Sequence, residues 1–211
     1  MPRRIRSKAH FWGARMRTLN IIGWRIPVVL AMTAFVIVAT GQFAFAVPLP
    51  TGDKTITLIA HDGSRKNIGR LSLQPDGDAS KISVTLDSPD FTDEFLSMRP
   101  FRCLSGPKRM WCHLPYPYDL HGRITATDLM DLEYALMFIW RTYDRVGADA
   151  WNGLYFKLAV GEDGVISGAL HEADFNLLAS PPAEKFSRPV SYTDLTPALS
   201  GSQVWDKIEI R

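Results

Sequence analysis

The chain has 211 residues, of which 46% are apolar and 22% are charged, with 14 Pro, 15 Gly and two Cys. These proportions are typical of a globular protein and exclude wholesale disorder, a collagen-like repeat and a disulfide-dense mini-protein. The net charge of +2 argues against a dedicated nucleic-acid binder. Residues 1–46 hold seven Lys or Arg and no acid, so the remaining body carries 17 basic and 22 acidic groups and is acidic, with a net charge of −5.

An apolar segment follows the basic N-terminus. Ile26 to Ala39 contains no charged residue, and the small-x-small triplet Ala44-Phe45-Ala46 comes soon after it. A positive region, an apolar stretch and an A-x-A site in this order are typical of a secretory signal peptide over residues 1–46, cleaved after Ala46. Counted to Ala46, the apolar segment has 21 residues, which is also long enough for an uncleaved membrane anchor.

Both alternatives place the acidic body across a membrane, because the positive charges hold the N-terminus on the cytoplasmic side. We therefore predict a periplasmic or secreted protein, with residues 47–53 as a tether and residues 54–211 as one exported domain. In the anchor alternative, the chain contacts the membrane only through its N-terminal segment, and residues 47–211 lie on the non-cytoplasmic side. A mitochondrial presequence and a start at Met16 stay open as further alternatives.

The two cysteines, Cys103 and Cys112, both lie in the exported part. If Pro107 and Lys108 form the centre of a turn, Cys103 stands directly opposite Cys112 in an antiparallel hairpin. Residues opposed in this way have Cα atoms about 4.5 to 5.5 Å apart, which is within disulfide range. An oxidising compartment would close the bond. The sequence therefore predicts a disulfide that stabilises a hairpin, and the absence of a C-x-x-C spacing argues against a redox role.

Alternating apolar residues predict strands over most of the exported part. The first strand ends at Asp62-Gly63, a hairpin signal, and the apolar parity of the return strand changes at Gly69, which predicts a bulge. Leu154 to Val160 and Ile166 to Leu170 alternate on even positions and predict a hairpin with a three-residue loop. Further strands are predicted over residues 82–86 and 207–210.

Two segments predict helices. Ser88-Pro89 is typical of a helix start and predicts a short helix over about residues 89–98. Residues 127–143 combine early acids, late arginines and a broad apolar stripe, which predict one long buried helix. The predicted fold class is therefore α+β, with a mainly antiparallel sheet of about seven or eight strands in hairpins or a meander. The alternative is a small β-barrel with a plugging or flanking helix.

The sequence contains no motif that carries catalytic or cofactor chemistry on its own. It has no H-E-x-x-H, no G-x-S-x-G and no glycine-rich phosphate loop, and its histidines lie outside metal-ligand spacings. We expect no metal, no cofactor and no nucleic-acid partner. His171 with Asp174 or Glu172 forms the densest ionisable cluster and supplies the best candidate for a general base.

The most distinctive segment runs from Phe95 to Tyr118. Its 24 residues hold four basic groups, five aromatic rings and no acid. Arginines beside rigid aromatic rings on a disulfide-linked hairpin match the composition of binding hot spots. In the competing interpretation, the rings pack on the core and the arginine stems cover them. The candidate binding residues are Arg99, Arg102, Arg109, Trp111, His113, Tyr116 and Tyr118, together with the cross-strand pair Tyr155 and His171.

These observations favour a non-enzymatic exported domain that uses this hairpin to bind an envelope protein or an anionic or sugar-bearing envelope component. The alternative is a hydrolase of an envelope polymer, in which His171 is the base and Asp174 or Glu172 orients it. A third hypothesis is a purely structural or assembly subunit, which would show a large exposed apolar patch and no pocket.

Overall fold

The structure is a computed structural model that describes residues 48–96, 99–147 and 149–211. The predicted signal peptide and its cleavage site at Ala46 lie outside these residues. Within the described ranges, every helix is too short or too polar to cross a membrane. Of the predicted tether, Leu49 packs against the core, and the last two residues, 52 and 53, already belong to the first strand.

Strands dominate the described chain, and twelve of them join in one antiparallel sheet. In chain order they are β1 (Gly52–Ala60), β2 (Arg65–Asp76), β3 (Ala79–Thr85), β4 (Phe91–Leu96), β5 (Arg99–Ser105), β6 (Arg109–His113), β7 (Arg123–Ile124), β8 (Phe138–Thr142), β9 (Gly153–Val160), β10 (Ile166–Ala173), β11 (Thr196–Pro197) and β12 (Trp205–Ile210). The described residues form one α-helix, α1 (Met130–Ala135). Three short 3₁₀ helices lie in the connections, at Ala150–Asn152, Phe175–Leu178 and Tyr192–Asp194.

The sheet is open but strongly curled. Its spatial order is β4-β5-β6-β8-β9-β10-β12-β1-β2-β3-β7, and β11 pairs with β10 beside this path. In a flat sheet, β3 and β4 would lie about 43 Å apart, at about 4.8 Å per strand. Residues 86–90 are the whole connection between them, and such a connection reaches only about 20 Å. The sheet must therefore bend until its two ends approach each other, which encloses an inner face.

Two apolar clusters occupy the two faces, because strand residues alternate between them. The inner cluster surrounds Trp111. The centre of its ring lies 5.9 Å from the ring centre of Phe138, 6.2 Å from that of Phe156 and 5.1 Å from that of Trp205. The outer cluster contains the disulfide and Tyr134. Because α1 contributes side chains to both clusters, this short helix lies where the two cores meet.

The turn signals in the sequence are confirmed in detail. In the β9–β10 hairpin, His171 lies opposite Tyr155, and Gly164 has a φ of 74° in the three-residue loop. The β1–β2 pairing shifts register at Gly69, which confirms the bulge. A Cβ at Gly69 would come within 2.1 Å of the carbonyl oxygen of Thr85, so the bulge also needs a glycine on steric grounds.

The predicted long helix over residues 127–143 is wrong. The helix ends at Ala135, and Phe138–Thr142 forms strand β8 against β6, with Trp140 opposite Trp111 and Ile139 opposite Cys112. A strand that is buried on both faces reads as an unbroken apolar run, which periodicity alone does not distinguish from a buried helix.

The predicted short helix over residues 89–98 is also wrong, because strand β4 occupies most of its described part, residues 91–96. Ser88 does form a local turn, in which its Oγ accepts from the Asp90 amide at 3.3 Å and its carbonyl accepts from the Phe91 amide at 3.2 Å. The chain then pairs with β5 instead of continuing as a helix, with Phe91 opposite Leu104.

The fold is therefore almost entirely β rather than α+β, and its twelve strands exceed the seven or eight expected. The alternative of a small closed barrel with a helix is wrong as well, because the sheet path ends at β4 and β7 without joining. Long-range pairings created these extra strands, and a local pattern carries no information about them.

Candidate functional site

A cavity of about 540 Å³ opens where the two ends of the curled sheet approach each other. We call it the seam cavity. Its walls come from β3 and the residue after it, from β5 and β6, from the loop after β6 and from α1. The lining residues are Ile82, Val84, Thr85, Leu86, Arg102, His113, Pro115, Tyr116, Leu120, Gly122, Asp131 and Ala135.

Arg102 and His113 enter this cavity from neighbouring strands because the disulfide hairpin sets their register. Cys103 pairs with Cys112, as predicted from the sequence, and Arg102 and His113 each lie one residue beyond this pair. Side chains alternate along a strand, so both residues face the inner side with Trp111, while the cysteines face the outer cluster.

Arg102 is the only cation among the residues that line the seam cavity. Its Nη1 donates to the carbonyl oxygen of Leu86, and its guanidinium carbon lies 5.0 Å from the centre of the Phe91 ring. It makes no ion pair with any carboxylate in residues 48–96, 99–147 and 149–211. The guanidinium is therefore held in place at the end of β3 with donors to spare for a ligand.

His113 is a neutral polar group in the wall. Its Nε2 lies 3.0 Å from the carbonyl oxygen of Ala135, and its ring lies 5.6 Å from the Phe138 ring. Burial lowers the pKa of His113, and the nearby positive charge of Arg102 lowers this pKa further. A carbonyl oxygen only accepts, so Nε2 carries the proton, and Nδ1 is the nitrogen that is left as an acceptor.

This environment makes His113 a source of acid sensitivity. The folded state holds the proton of this imidazole less strongly than the unfolded chain, so the free energy of unfolding decreases as pH falls below the ordinary histidine pKa of about 6.5. We expect His113→Phe to remove part of this decrease, as measured by urea unfolding between pH 7.5 and pH 5. Equal acid sensitivity in the variant and the wild type would contradict the assignment.

The remaining walls are mostly apolar, and contacts on the side away from the cavity hold them in place. Ile82 and Val84 project from β3, and the proline-containing loop after β6 supplies Leu120. In that loop, the Tyr116 hydroxyl donates to the carbonyl oxygen of Ser187 at 2.8 Å, and its ring lies 4.9 Å from the Tyr134 ring. These contacts hold the loop against the body, so the cavity is formed before any ligand enters.

Asp131 is a buried acid in the wall formed by α1, and it was not recognised from the sequence as a site residue. It is 1% exposed, and one of its oxygens lies 3.4 Å from Nη1 of Arg188. Arg188 also contacts both carboxylate oxygens of Asp128, at 2.9 and 3.0 Å. The charge of Asp131 is therefore already compensated from behind the cavity wall.

Glu133 is a second buried acid, but it does not line the seam cavity; it accepts hydrogen bonds from strand β9. Its carboxylate is fully buried and accepts from the Tyr155 hydroxyl at 2.6 Å, from the Leu158 amide at 2.7 Å and from the Tyr192 hydroxyl at 3.2 Å. Because β8 pairs with only the first two residues of β9, the Leu158 amide has no strand neighbour on that side. Burial raises the pKa of Glu133, although the three donors act against this rise.

The structure separates the nine candidate binding residues that the sequence suggested. Arg102, His113 and Tyr116 line the seam cavity, and Tyr118 lies against Tyr116 with ring centres 5.5 Å apart. The other described members lie elsewhere. Trp111 belongs to the inner cluster, the Tyr155 hydroxyl donates to Glu133, and the Arg109 guanidinium lies over the Trp140 ring. His171 lines a second groove, together with His61, Ser200 and Asp206. The backbone of Arg99 begins β5.

The geometry around His171 does not assemble the acid–base pair that a hydrolase would need. Its Nδ1 lies 3.1 Å from the carbonyl oxygen of Ala169. Asp174 accepts from the amide of Asn176 at 2.9 Å, and Glu172 accepts from Gln203 at 3.3 Å. Neither carboxylate therefore orients the imidazole, which a general base of this kind requires.

A serine, a histidine and an aspartate in the groove that His171 lines are the residue types of a hydrolytic triad, but they lack the geometry of one. The Ser200 hydroxyl lies 3.0 Å from Nδ1 of His61, and a carboxylate oxygen of Asp206 lies 3.5 Å from the same nitrogen. In a working triad, the acid and the nucleophile contact opposite ring nitrogens. Here they compete for one nitrogen, so this group does not activate the serine.

The part of the chain that the structure describes contains no cluster of three or more His, Cys, Asp or Glu that could hold a metal ion. The seam cavity thus offers one cation, one neutral imidazole and mostly apolar walls, with the buried Asp131 behind one of them. Comparison with protein-family models, with curated proteins and with solved structures finds no match for this chain.

Proposed function

We propose that this chain is an exported, non-enzymatic binding domain and that its seam cavity binds a small amphipathic anion. A long-chain carboxylate, with one acidic group and an apolar body, represents this class. The proposal narrows the anionic envelope component expected from the sequence to one chemical class, and it limits the proposed contact surface of the hairpin to the cavity at its base.

One observation supports this proposal above the others. The lone cation of the cavity, Arg102, forms no ion pair with a carboxylate of the described residues, although Asp93 lies opposite it on β4. Arg102 stands beside walls built from Ile82, Val84 and Leu120. A volume of about 540 Å³ lies within the range of small-molecule sites, which are apolar pockets with a few placed polar groups. A carboxylate that reaches Arg102 would form a charge-assisted pair in a partly desolvated place.

The position of Arg102 gives the ligand a direction. An anionic group pairs with Arg102 at the base of the hairpin, and the apolar body then extends along the walls built from Ile82, Val84 and Leu120. The charge of Asp131 is compensated by Arg188 from behind the wall and does not set this direction.

The proposal is tested by titrating the full chain with decanoate and with decanol in a calorimeter. Decanol has the same chain length without the charge. We expect the wild type to bind decanoate about tenfold more tightly than decanol and Arg102→Gln to lose this preference, because one charge-assisted pair contributes about 1.5 to 3 kcal/mol.

Arg65→Gln is the matched control, because it removes the same charge at a position where the arginine pairs with Glu209 outside the cavity. This variant should bind both compounds as the wild type does. Equal affinity of the wild type for decanoate and decanol would overturn the proposal, as would an equal loss in the two variants.

A further inference from the structure

The tip of the disulfide hairpin forms a second recess, at the other end of the hairpin from the seam cavity. It has a volume of about 310 Å³ and lies between the turn and the segment before β12. We call it the tip groove, and its lining residues are Pro107, Lys108, Arg109, Gly201, Ser202, Gln203 and Val204. We propose that the tip groove binds a phosphate group.

The groove holds two cations without acidic partners. Lys108 and Arg109 are consecutive residues, and neither forms an ion pair with a carboxylate in the described ranges of the chain. By contrast, many basic side chains of the acidic body are paired, such as Arg65 with Glu209 and Lys66 with Asp90. Two adjacent unpaired cations in a body of net charge −5 form a local site for an anion.

Arg109 is already oriented for this purpose. Its guanidinium carbon lies 3.9 Å from the centre of the Trp140 ring, and its Nη1 donates to the carbonyl oxygen of Ser202 at 3.3 Å. Stacking and one hydrogen bond fix the plane of the guanidinium while leaving its other donors available. A pre-oriented arginine loses less side-chain entropy on binding, which favours affinity.

The walls of the groove are rigid as well. The Gly106 amide donates to the carbonyl oxygen of Arg109 at 2.9 Å, and the Tyr143 hydroxyl donates to the carbonyl oxygen of Gly106 at 2.6 Å. A Cβ at Gly106 would lie 2.7 Å from Val204, so the turn rests directly on the opposite wall. In that wall, Gln203 accepts from the indole of Trp111 at 3.3 Å.

A further polar group in this wall has an unmet hydrogen bond. The Oγ of Ser202 is buried and has no partner among the described residues. A buried hydroxyl without a partner costs free energy and requires an explanation. If this side chain rotates toward the groove, an anion held by both cations can accept from Ser202 as well, and a phosphate has enough acceptor oxygens for all three.

The test uses two probes that carry the same chemistry from different sources. Glycerol 3-phosphate represents a soluble phosphate, and vesicles of phosphatidylglycerol represent a lipid headgroup. The variant is Lys108→Gln with Arg109→Gln in the full chain. The charge-matched control is Lys54→Gln with Lys207→Gln, which removes two lysines that lie outside the tip groove. Near-UV circular dichroism confirms that each variant keeps the native packing.

We expect saturable binding of at least one probe to the wild type, weakened about tenfold or more in the tip variant and within about twofold of the wild type in the control. Binding of glycerol 3-phosphate would assign a soluble ligand, and binding of vesicles alone would assign a lipid headgroup. Failure of both probes to bind the wild type would overturn the proposal, as would equal losses in the two double variants. Because decanoate binding depends on Arg102, the seam-cavity proposal stands or falls independently.

Discussion

Glu133→Ala should lower the free energy of unfolding by about 2 to 4 kcal/mol, the largest effect that we expect from a single polar substitution in this fold. Alanine would leave the Leu158 amide and the Tyr155 hydroxyl without their acceptor in a place that excludes water. Each buried donor that loses its partner costs about 1 to 3 kcal/mol. Urea unfolding at pH 7 measures the change.

Glu133→Gln is the informative companion, because it keeps one acceptor oxygen and removes the charge. Burial raises the pKa of Glu133, so the folded state binds this proton more strongly than the unfolded chain. The wild type therefore loses stability as pH rises above the ordinary glutamate pKa of about 4.3. We expect the glutamine variant to lack this part of the pH dependence. A Glu133→Ala variant within about 0.5 kcal/mol of the wild type would show that the carboxylate does not support β9.

Replacing Cys103 and Cys112 together by serine should cost about 2 to 3 kcal/mol of unfolding free energy. The disulfide closes a short loop with a sequence separation of nine, so its effect on the unfolded chain is moderate. The same change should weaken decanoate binding, because the disulfide pair sets the register of Arg102 and His113.

The two consequences can be measured separately, by urea unfolding and by calorimetric titration of the folded variant. Unchanged stability would contradict the role of the disulfide in the hairpin. Unchanged decanoate affinity together with reduced stability would show that strand pairing alone sets the position of Arg102.

The hairpins could be predicted from the sequence because their information is local. A glycine with positive φ at position 164, a parity change at Gly69 and a proline turn between the cysteines each fix a register within a few residues. Once the register is known, every side chain of the hairpin is assigned to a face. This is why the Cys103–Cys112 pairing could be predicted from the sequence.

The arrangement of the strands could not be predicted in this way. Strand β8 reads as a helix because its first two residues are buried on opposite faces, Phe138 in the inner cluster and Ile139 in the outer one. Strand β4 follows a sequence that starts like a helix, and its pairing with β5 decides the outcome. Both errors come from tertiary contacts that override a local pattern.

The candidate site could be predicted only in part, because one of its walls is local in the sequence and the other is not. Arg102, His113 and Tyr116 belong to one basic and aromatic segment, and they meet in the seam cavity because the hairpin register places them there. Their opposite wall, β3, is distant in the sequence. Asp131 and Glu133 gave one signal that could have been used, because two acids inside an otherwise apolar run require buried partners.

The most direct test of the central claim is an NMR experiment on the isotope-labelled full chain with decanoate. If the seam cavity holds an amphipathic anion, the alkyl chain should show intermolecular nuclear Overhauser effects to the methyl groups of Ile82, Val84 and Leu120. These effects should be lost in Arg102→Gln at the same ligand concentration. Effects to none of these three residues, or only to the exposed side chains of Trp151 and Leu177, would contradict the account.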